Sequence, residues 1–254
     1  MGTKFQDIIR KVKQKKELSG VDDAIISKIM DKHLSIIDRL NESETKILIK
    51  EIRNELRQYA GRFQSEWKDR KSLLERGEIN SILKTHASTL ERIDFYPELN
   101  KLIEDLKIKS IIDLGCGINP IALAKPGISY CAFDINREEL ELVTRFFKMN
   151  HIQGEASFCD LRNIEVCNFP ESDLCLILKV FDVIERKGHK LAEKIINKIN
   201  SRYFLLSFST KTLSGKPMNH PQRGWIERLL QRLNFYFRII KSRNEIFYLA
   251  TKLR

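Results

Sequence analysis

The chain has 254 residues, of which 42% are hydrophobic, so it can form one large domain and a smaller one, and it is too apolar to be disordered throughout. Lysine and arginine outnumber aspartate and glutamate by 45 to 34, a formal net charge of +11. No apolar run approaches the ~20 residues of a membrane helix, and the lysine-rich opening lacks a signal-peptide core. We therefore expect a cytoplasmic protein without a membrane segment.

The positive charge is concentrated at the two ends of the chain. Residues 1–85 carry 19 basic and 14 acidic side chains, residues 86–200 carry 15 and 18, and residues 201–254 carry 11 and 2. This segregation favours a polyanionic partner, in particular a nucleic acid. A basic surface that serves only solubility is the alternative.

The cysteines show no metal-binding or disulfide pattern. No CxxC pair occurs, and most of the cysteines lie inside apolar runs. We therefore predict buried free thiols in a reducing compartment, and no metal site. The cysteines are Cys116, Cys131, Cys159, Cys167 and Cys175.

The first 85 residues are predicted to form helices. Apolar side chains recur there every three or four positions, the spacing of helices that are buried on one face. No proline interrupts the stretch, and Ser43 is predicted to cap one helix. We predict a basic, all-helical subdomain over residues 1–85 and a second domain over residues 86–254. The pattern is carried by Ile25, Ile26, Ile29, Met30, Ile36, Ile37, Leu40, Ile47, Leu48, Ile52, Leu56 and Tyr59.

From about residue 108, short β-rich runs alternate with helical patterns. This alternation predicts an α/β fold in which helices cover both faces of a mostly parallel sheet. Only residues 242–245 separate the last two runs, which predicts a terminal β-hairpin. The predicted strands are Ser110–Leu114, Tyr130–Phe133, Ala156–Cys159, Leu174–Leu178, Tyr203–Phe208, Tyr236–Lys241 and Ile246–Thr251. The predicted helices are Arg137–Asn150, Lys190–Ile199 and Pro221–Leu233.

The first predicted strand leads directly into a glycine-rich turn, in the string Ile111–Pro120. Gly115 and Gly117 permit a sharp turn and a close approach of the backbone to a ligand. A dinucleotide-binding fingerprint would need a third glycine where Pro120 stands, so that class of site is disfavoured.

Acidic residues end the next two predicted strands. Asp134 could accept both ribose hydroxyls of an adenosine ligand, and Asp160 could contact an adenine amino group while Leu161 packs on the ring. A helix cap is the alternative for Asp160 taken alone. Because the carboxyl ends of parallel strands share one edge of a sheet, these residues and the glycine turn predict one adenosine site.

Several strings together resemble one enzyme family. The strings are His86–Arg92 (HASTLER), Asp113–Pro120 (DLGCGINP), Asp134–Ile135, Leu176–Lys179 (LILK) followed by Glu185, Ser207–Lys216 (SFSTKTLSGK) and Asn244–Tyr248 (NEIFY). They resemble the aminoglycoside-resistance 16S ribosomal RNA (guanine-N7) methyltransferases, the Arm/Rmt group. The chain departs from that family at Ser209, Lys211 and Val180–Asp182, which leaves the target nucleotide open and is typical of a distant member.

The resemblance implies a fold, a cofactor and a set of site residues. The fold is that of class I methyltransferases, a Rossmann-like seven-stranded sheet with a terminal hairpin, and the cofactor is S-adenosyl-L-methionine (SAM). The implied cofactor-binding residues are His86, Arg92, Gly115, Gly117, Asp134, Ile135, Asp160, Leu161 and Leu178. Arg92 would reach the SAM carboxylate, and the catalytic candidates Lys179 and Glu185 would lie at the mouth of the site. The alternatives are a surface lysine for Lys179, a surface ion pair for Glu185 and a helix-packing role for His86.

Two basic segments are candidates for RNA contact. Their residues are Lys11, Lys13, Lys15 and Lys16 near the start of the chain, and Lys211, Lys216 and Arg223 near its end. The end of the chain contains few acids, which favours phosphate contacts. A frayed charged helix at the start of the chain is the alternative for the first group.

The resemblance implies SAM-dependent methylation of small-subunit ribosomal RNA at guanine N7 in the decoding region, with aminoglycoside resistance or ordinary ribosome maturation as its purpose. Guanine N7 carries no proton, so this reaction needs no general base and no metal. The alternatives are another RNA position and a non-catalytic RNA-binding assembly factor. We expect a monomer that docks on the assembled subunit.

Overall fold

The computed structural model describes residues 3–60, 69–185, 188–211 and 215–253. Its N-terminal part is helical, as predicted. Apolar side chains from these helices form a core of their own, which includes Ile8, Ile26, Met30 and Leu56. The helices are α1 (Thr3–Lys13), α2 (Asp23–Met30), α3 (Leu34–Ile37) and α4 (Glu42–Arg57).

The N-terminal cap of α4 differs from the prediction. Asn41, rather than Ser43, caps the helix: its side chain accepts the Glu44 N–H at 2.9 Å, and the Glu44 carboxylate accepts the Asn41 N–H at 2.7 Å. This reciprocal pair satisfies two amide groups that the first turn leaves unpaired. Ser43 lies inside the first turn, so the prediction was wrong by two residues.

A second group of helices leads into the sheet. Side chains of its first two helices, such as Leu74 and Ile82, join the core that packs against the sheet instead of the N-terminal core. The packing therefore changes from one core to the other between Tyr59 and Leu73. The boundary at residue 85 stays a prediction. The helices are α5 (Arg70–Glu75), α6 (Ile79–Leu83), α7 (Ala87–Arg92) and α8 (Tyr96–Asp105).

Among the described residues, seven strands form one sheet in the order β3-β2-β1-β4-β5-β7-β6. The strands β1 to β5 pair in parallel, and β7 runs antiparallel to both of its neighbours. The predicted α/β class and terminal hairpin are confirmed. The strands are β1 (Ser110–Leu114), β2 (Ser129–Asp134), β3 (Gly154–Phe158), β4 (Ser172–Leu178), β5 (Ser201–Ser209), β6 (Phe235–Lys241) and β7 (Glu245–Lys252).

Helices cover both faces of the sheet, as expected for parallel strands that are buried on two sides. Alternate residues of β1 enter the two cores: Ile111 packs on one face, and Ile112 and Leu114 pack on the other. The remaining helices are α9 (Pro120–Leu123), α10 (Arg137–Met149), α11 (Phe181–Ile184), α12 (Lys190–Lys198) and α13 (Gly224–Arg232).

The cysteine prediction needs one correction. Cys159 and Cys167 form a disulfide, whereas Cys116, Cys131 and Cys175 are free thiols. The pair flanks a short 3₁₀ segment over Leu161–Val166, which returns the chain so that the two Cα atoms lie 6.2 Å apart. That separation is within the range of disulfides. Because the turn brings the two cysteines together, their sequence separation of eight residues did not predict the disulfide.

The described residues contain neither a membrane-spanning helix nor a metal-binding cluster. None of their helices combines the length and the apolar character that crossing a bilayer requires. Likewise, these residues contain no group of three or more His, Cys, Asp and Glu side chains arranged to hold a metal ion.

Candidate active site

The carboxyl ends of β1, β2 and β4 meet around one cavity. In an open parallel sheet this edge, beside the point where the strand order reverses, is where ligands bind. The structure brings together every residue predicted for the cofactor, and also Lys179. The predicted residues that line the cavity are His86, Arg92, Gly115, Gly117, Asp134, Ile135, Asp160, Leu161, Leu178 and Lys179.

The glycine turn after β1 forms the floor of the cavity. Gly115 and Gly117 have φ angles of +65° and +50°, a region that glycine adopts without strain. A Cβ atom on Gly115 would lie 2.7 Å from the Val180 side chain, so a side chain at position 115 would collide with Val180. The Gly117 N–H donates to the Asp134 carboxylate at 2.8 Å, which ties the ends of β1 and β2 together.

Asp134 is a half-buried carboxylate at the tip of β2. Its other oxygen accepts the backbone N–H groups of Ile135 and Asn136 at 2.7 and 2.9 Å. Burial and the nearby charge of Glu139 raise the pKa of Asp134 to about 7, although the backbone donors oppose the shift. The side chain is therefore held rigidly at the cavity wall, where an acceptor for ribose hydroxyls was predicted.

Asp160 is a helix cap and also lines the cavity, and its contact with adenine stays a prediction. It caps the 3₁₀ segment that follows β3 by accepting the Arg162 N–H at 3.1 Å, and it also lines the cavity. The Arg162 guanidinium bonds both carboxylate oxygens, at 2.8 and 3.0 Å. Burial opposes ionisation, but Arg162 holds the pKa of Asp160 below its ordinary value. Leu161 is buried beside it.

His86 is a buried side chain that also lines the cavity. Its Nε2 atom lies 3.7 Å from the Glu139 carboxylate. Burial lowers the pKa of His86 to about 4 despite that carboxylate, so the imidazole is neutral at pH 7. Arg70 supplies the positive partner of Glu139, at 3.2 Å.

Arg92 belongs to a buried polar network at one end of the cavity. It is 2% exposed, and its Nη2 atom lies 2.9 Å from Glu245 Oε2. Its Nη1 atom donates to Asn119 Oδ1 at 3.3 Å, and Asn119 in turn donates to Asp113 at 2.8 Å. Burial raises the pKa of Asp113 to about 6, opposed by hydrogen bonds from Asn119 and Tyr130.

Lys179 is buried, so its interpretation as a surface lysine is wrong. It is 8% exposed, and its ammonium group pairs with Glu91 and lies 3.6 Å from Glu245 Oε1. Its φ angle of +61° is strained for a residue with a side chain, a feature that clusters at functional sites. Lys179 and Arg92 thus bring two cationic groups to the cavity wall, each of them paired with a carboxylate.

Glu185 lies outside the cavity, in an adjoining cleft. It lines that cleft with residues of α4 and α12, and its Oε2 atom accepts the Ala192 N–H at 2.5 Å. Tyr59, Arg162 and Ile184 line both spaces, so the cleft opens beside the cavity. The two catalytic candidates therefore face neighbouring spaces. The ion-pair alternative named Lys187, which lies outside the described residues, and Lys190, which lines the same cleft as Glu185.

The predicted RNA contacts near the start of the chain are unequal. Lys11 pairs with Asp7 and Lys13 with Asp23, each at 2.7 Å. Lys15 and Lys16 are exposed. The first two charges are thus partly neutralised within the subdomain.

The predicted contacts near the end of the chain also differ from one another. Lys216 is exposed, and Lys211 is half-buried. Arg223 folds inward, where its Nη2 atom lies 3.3 Å from Asp182 and donates to the Ser209 carbonyl at 3.1 Å. Its guanidinium therefore holds loops together. A contact between Arg223 and RNA stays a prediction.

The sequence interpretation missed several residues of the site. Tyr59 and Ala60 reach the cavity from the end of α4, and Glu139 and Arg162 reach it from α10 and the loop after β3. No motif marks them, because only the fold brings them to the sheet edge. Glu245 had a signal, since it lies within the string that resembles the family's closing strand.

Comparison with known proteins gives one family match and several relatives. The family model described as "Ribosomal RNA methyltransferase (FmrO)" matches residues 72–249. A "16S rRNA (guanine(1405)-N(7))-methyltransferase" of Frankia casuarinae is 23% identical over 182 residues, covering 68% of this chain and 64% of that protein. A relative of the same name from Serratia marcescens is 29% identical over 160 residues, covering 61% and 62%. The matched regions thus span less than two thirds of these relatives.

One solved structure extends the likeness to the whole fold. The 16S rRNA methyltransferase RmtF, in complex with S-adenosyl-L-homocysteine, has a TM-score of 0.79 and 22% identity, with 100% of both chains covered. At this identity the likeness demonstrates a shared fold. The structural likeness includes the helical N-terminal part, most of which lies outside the residues 72–249 that the family model matches.

Proposed function

Because the chain belongs to the ribosomal RNA methyltransferase (FmrO) family, we propose that it methylates 16S ribosomal RNA at guanine N7 with SAM as the methyl donor. The observation that carries the proposal is the convergence of ten predicted residues on one cavity at the carboxyl edge of the sheet. The names of its relatives support the target base, and the departures from the family motifs leave the nucleotide position open.

The chemistry of the cavity suits SAM. Asp134 supplies acceptors for ribose hydroxyls, and Leu161 and Leu178 supply apolar surface for an adenine ring. Arg92 and Lys179 supply cationic donors for the carboxylate of the amino acid. The tight turn at Gly115 lets the backbone approach a ligand.

The protein has to position and desolvate the methyl donor and the target base, and it does not have to move a proton. When bound, SAM supplies a methyl group on a sulfonium, which the N7 lone pair can attack directly. The half-buried Asp134 and the buried Arg92 are held by hydrogen bonds before the ligand arrives. Pre-organisation of this kind lowers the barrier without an acid or a base.

The adjoining cleft is the proposed approach of the target nucleoside. Tyr59, Ile184 and Arg162 line both the cleft and the cavity, so a base in the cleft would lie next to the methyl donor. Glu185 and Lys190 add polar groups to the cleft wall. A flipped base could stack on an aromatic ring and hydrogen-bond with such groups.

The proposed partner is the small ribosomal subunit. The exposed Lys15, Lys16 and Lys216 add positive charge on both sides of the acidic centre of the chain. A folded RNA surface is recognised by shape and phosphate contacts, which suits a dispersed basic footprint. The proposed place of action is the cytoplasm.

The proposal is tested by borohydride–aniline cleavage of ribosomal RNA, which cuts at 7-methylguanosine. Small subunits are incubated with the protein, with and without SAM. One SAM-dependent cut in the decoding region is expected, and Asp134→Ala, which removes the ribose acceptor, should abolish it.

Other results would contradict parts of the proposal. Methyl transfer from labelled SAM without a cleavage site would mean another base atom or position. Binding to subunits without any methyl transfer would favour a non-catalytic assembly factor.

A further inference from the structure

A buried carboxylate lies behind the two cations of the cavity. Glu245 begins β7 and is 1% exposed. Its Oε2 atom accepts the Arg92 Nη2–H at 2.9 Å and the Ser207 hydroxyl at 2.7 Å. Glu245 does not itself line the cavity, so any effect on a ligand must act through its neighbours.

The second oxygen of Glu245 is placed differently. Oε1 is buried, makes no hydrogen bond with the described residues, and lies 3.6 Å from the Lys179 ammonium. Lys179 also pairs with Glu91, which is 42% exposed. Glu245 is therefore the buried negative charge that Arg92 and Lys179 share.

We propose that Glu245 is a positioning residue that holds Arg92 and Lys179 so that their charges face the carboxylate of the SAM amino acid. This inference rests on the proposed function, because it takes SAM as the ligand. It adds a residue from the last strand, far along the chain from the glycine turn.

The geometry explains why such a residue is needed. Glu245 binds Arg92 through Nε and Nη2, at 3.3 and 2.9 Å, and Asn119 accepts from Nη1. The guanidinium plane is thereby fixed before a ligand binds, so binding does not have to pay for ordering it. Without Glu245, the two buried cations would lose the negative charge that they share, and their side chains would turn toward other acceptors.

The test compares two ligands that differ at one end. S-adenosylhomocysteine carries the amino acid, whereas 5′-methylthioadenosine carries the adenosine and the sulfur without it. Calorimetric titration of Glu245→Gln should show affinity for S-adenosylhomocysteine reduced by about tenfold or more. Affinity for 5′-methylthioadenosine should change by less than about twofold, since that ligand lacks the carboxylate that the two cations would bind.

Two further variants keep the test decisive. Ser207→Ala removes one hydrogen bond to Glu245 and retains its charge, so the same selective loss is expected at smaller size, even if Glu245→Gln does not fold. Asp160→Asn changes the adenine end of the cavity and should weaken both ligands equally. The ratio of the two affinities thus distinguishes an effect on the amino-acid end of the ligand from a general weakening of the site.

Three results would overturn the inference. Equal weakening of both ligands by Glu245→Gln and Ser207→Ala would mean a general structural role. Unchanged or tighter binding of S-adenosylhomocysteine would mean that Arg92 is oriented without Glu245. Failure of the wild-type protein to bind either ligand would instead overturn the proposed function, and the inference with it.

Discussion

At the scale of single residues, the site is built from charged groups that are buried before any ligand is present. Asp113 and Glu245 are buried and Asp134 is half-buried, and hydrogen bonds or nearby cations compensate their charges only in part. The raised pKa values of Asp134 and Asp113 follow from burial. Such groups cost stability and serve function, a combination that is common at active sites.

Asp134 should make the stability of the ligand-free protein depend on pH. The unfolded carboxyl releases its proton near 3.8 and the folded one near 7, so between these values unfolding releases a proton and a rise in pH favours unfolding. Asp134→Asn removes this penalty. Relative to the wild type, we expect the variant to gain on the order of 2 kcal/mol between pH 5 and pH 8.

The measurement is the thermal midpoint of both proteins across that range, together with calorimetric titration of S-adenosylhomocysteine. The variant should lose ligand affinity while its relative stability rises with pH. A constant difference between the two midpoints would mean that Asp134 is already ionised at pH 5 in the folded protein.

At the scale of elements, the helical subdomain braces the turn after β2. The Arg137 N–H donates to the Gly20 carbonyl at 2.7 Å, and the Asp22 N–H donates to the Ile135 carbonyl at 3.1 Å. Asn136, which caps α10, lies so close to Gly20 that a Cβ atom there would be 2.1 Å from its side-chain oxygen. The turn that carries Asp134 is therefore held from outside the sheet.

Gly20→Ala should weaken cofactor binding from a position outside the cavity. The added methyl group displaces the Asn136 side chain, which costs α10 a cap of about 1 kcal/mol and shifts the turn beside Asp134. We expect several-fold weaker binding of S-adenosylhomocysteine by calorimetry and a lower melting temperature.

Gly127→Ala is the matched control for Gly20→Ala. Its φ angle of +86° makes alanine strained, but nothing lies within 4 Å of the added Cβ atom. It should lower the melting temperature and leave ligand affinity unchanged. If Gly20→Ala behaved in the same way, the contact would contribute to stability without positioning the turn.

At the scale of the whole molecule, the effect of the charge pattern depends on which charged side chains are exposed and which are paired. The acidic centre of the sequence contains β1 to β4, whose carboxyl ends carry most of the predicted cavity residues, and the basic ends contribute exposed lysines. Some of the residues that were predicted to contact RNA, namely Lys11, Lys13 and Arg223, already form ion pairs within the protein. The net charge therefore overstates the number of groups that are available for phosphates.

Lys15 and Lys13 test this distinction, because they are close in sequence and differ in pairing. Lys15 is exposed, whereas Lys13 pairs with Asp23 at 2.7 Å. Lys15→Gln should weaken binding to small subunits and reduce the slope of log K against log salt by about 1. Lys13→Gln should change the slope less. Equal slopes for both variants and the wild type would remove this segment from the footprint.

Much of the architecture followed from the sequence alone. Periodicity located the helices and strands to within a few residues, because an element buried on one face or on both must repeat its apolar positions at its own period. The sequence motifs identified ten of the residues that line the cavity, and the family match confirms the resemblance. The cap of α4 and the Cys159–Cys167 pair were missed, because both depend on local geometry that the spacing does not encode.

By itself, then, the sequence determined the α/β class, the terminal hairpin and the residues at the ends of β1, β2 and β4, since local patterns specify them. The tertiary structure alone decided which residues meet. It buried Lys179, placed Glu185 in a neighbouring cleft and brought Glu245 against Arg92 across 153 positions of sequence. The physical reason is that contacts distant along the chain arise from the packing of whole elements, and no local pattern records that packing.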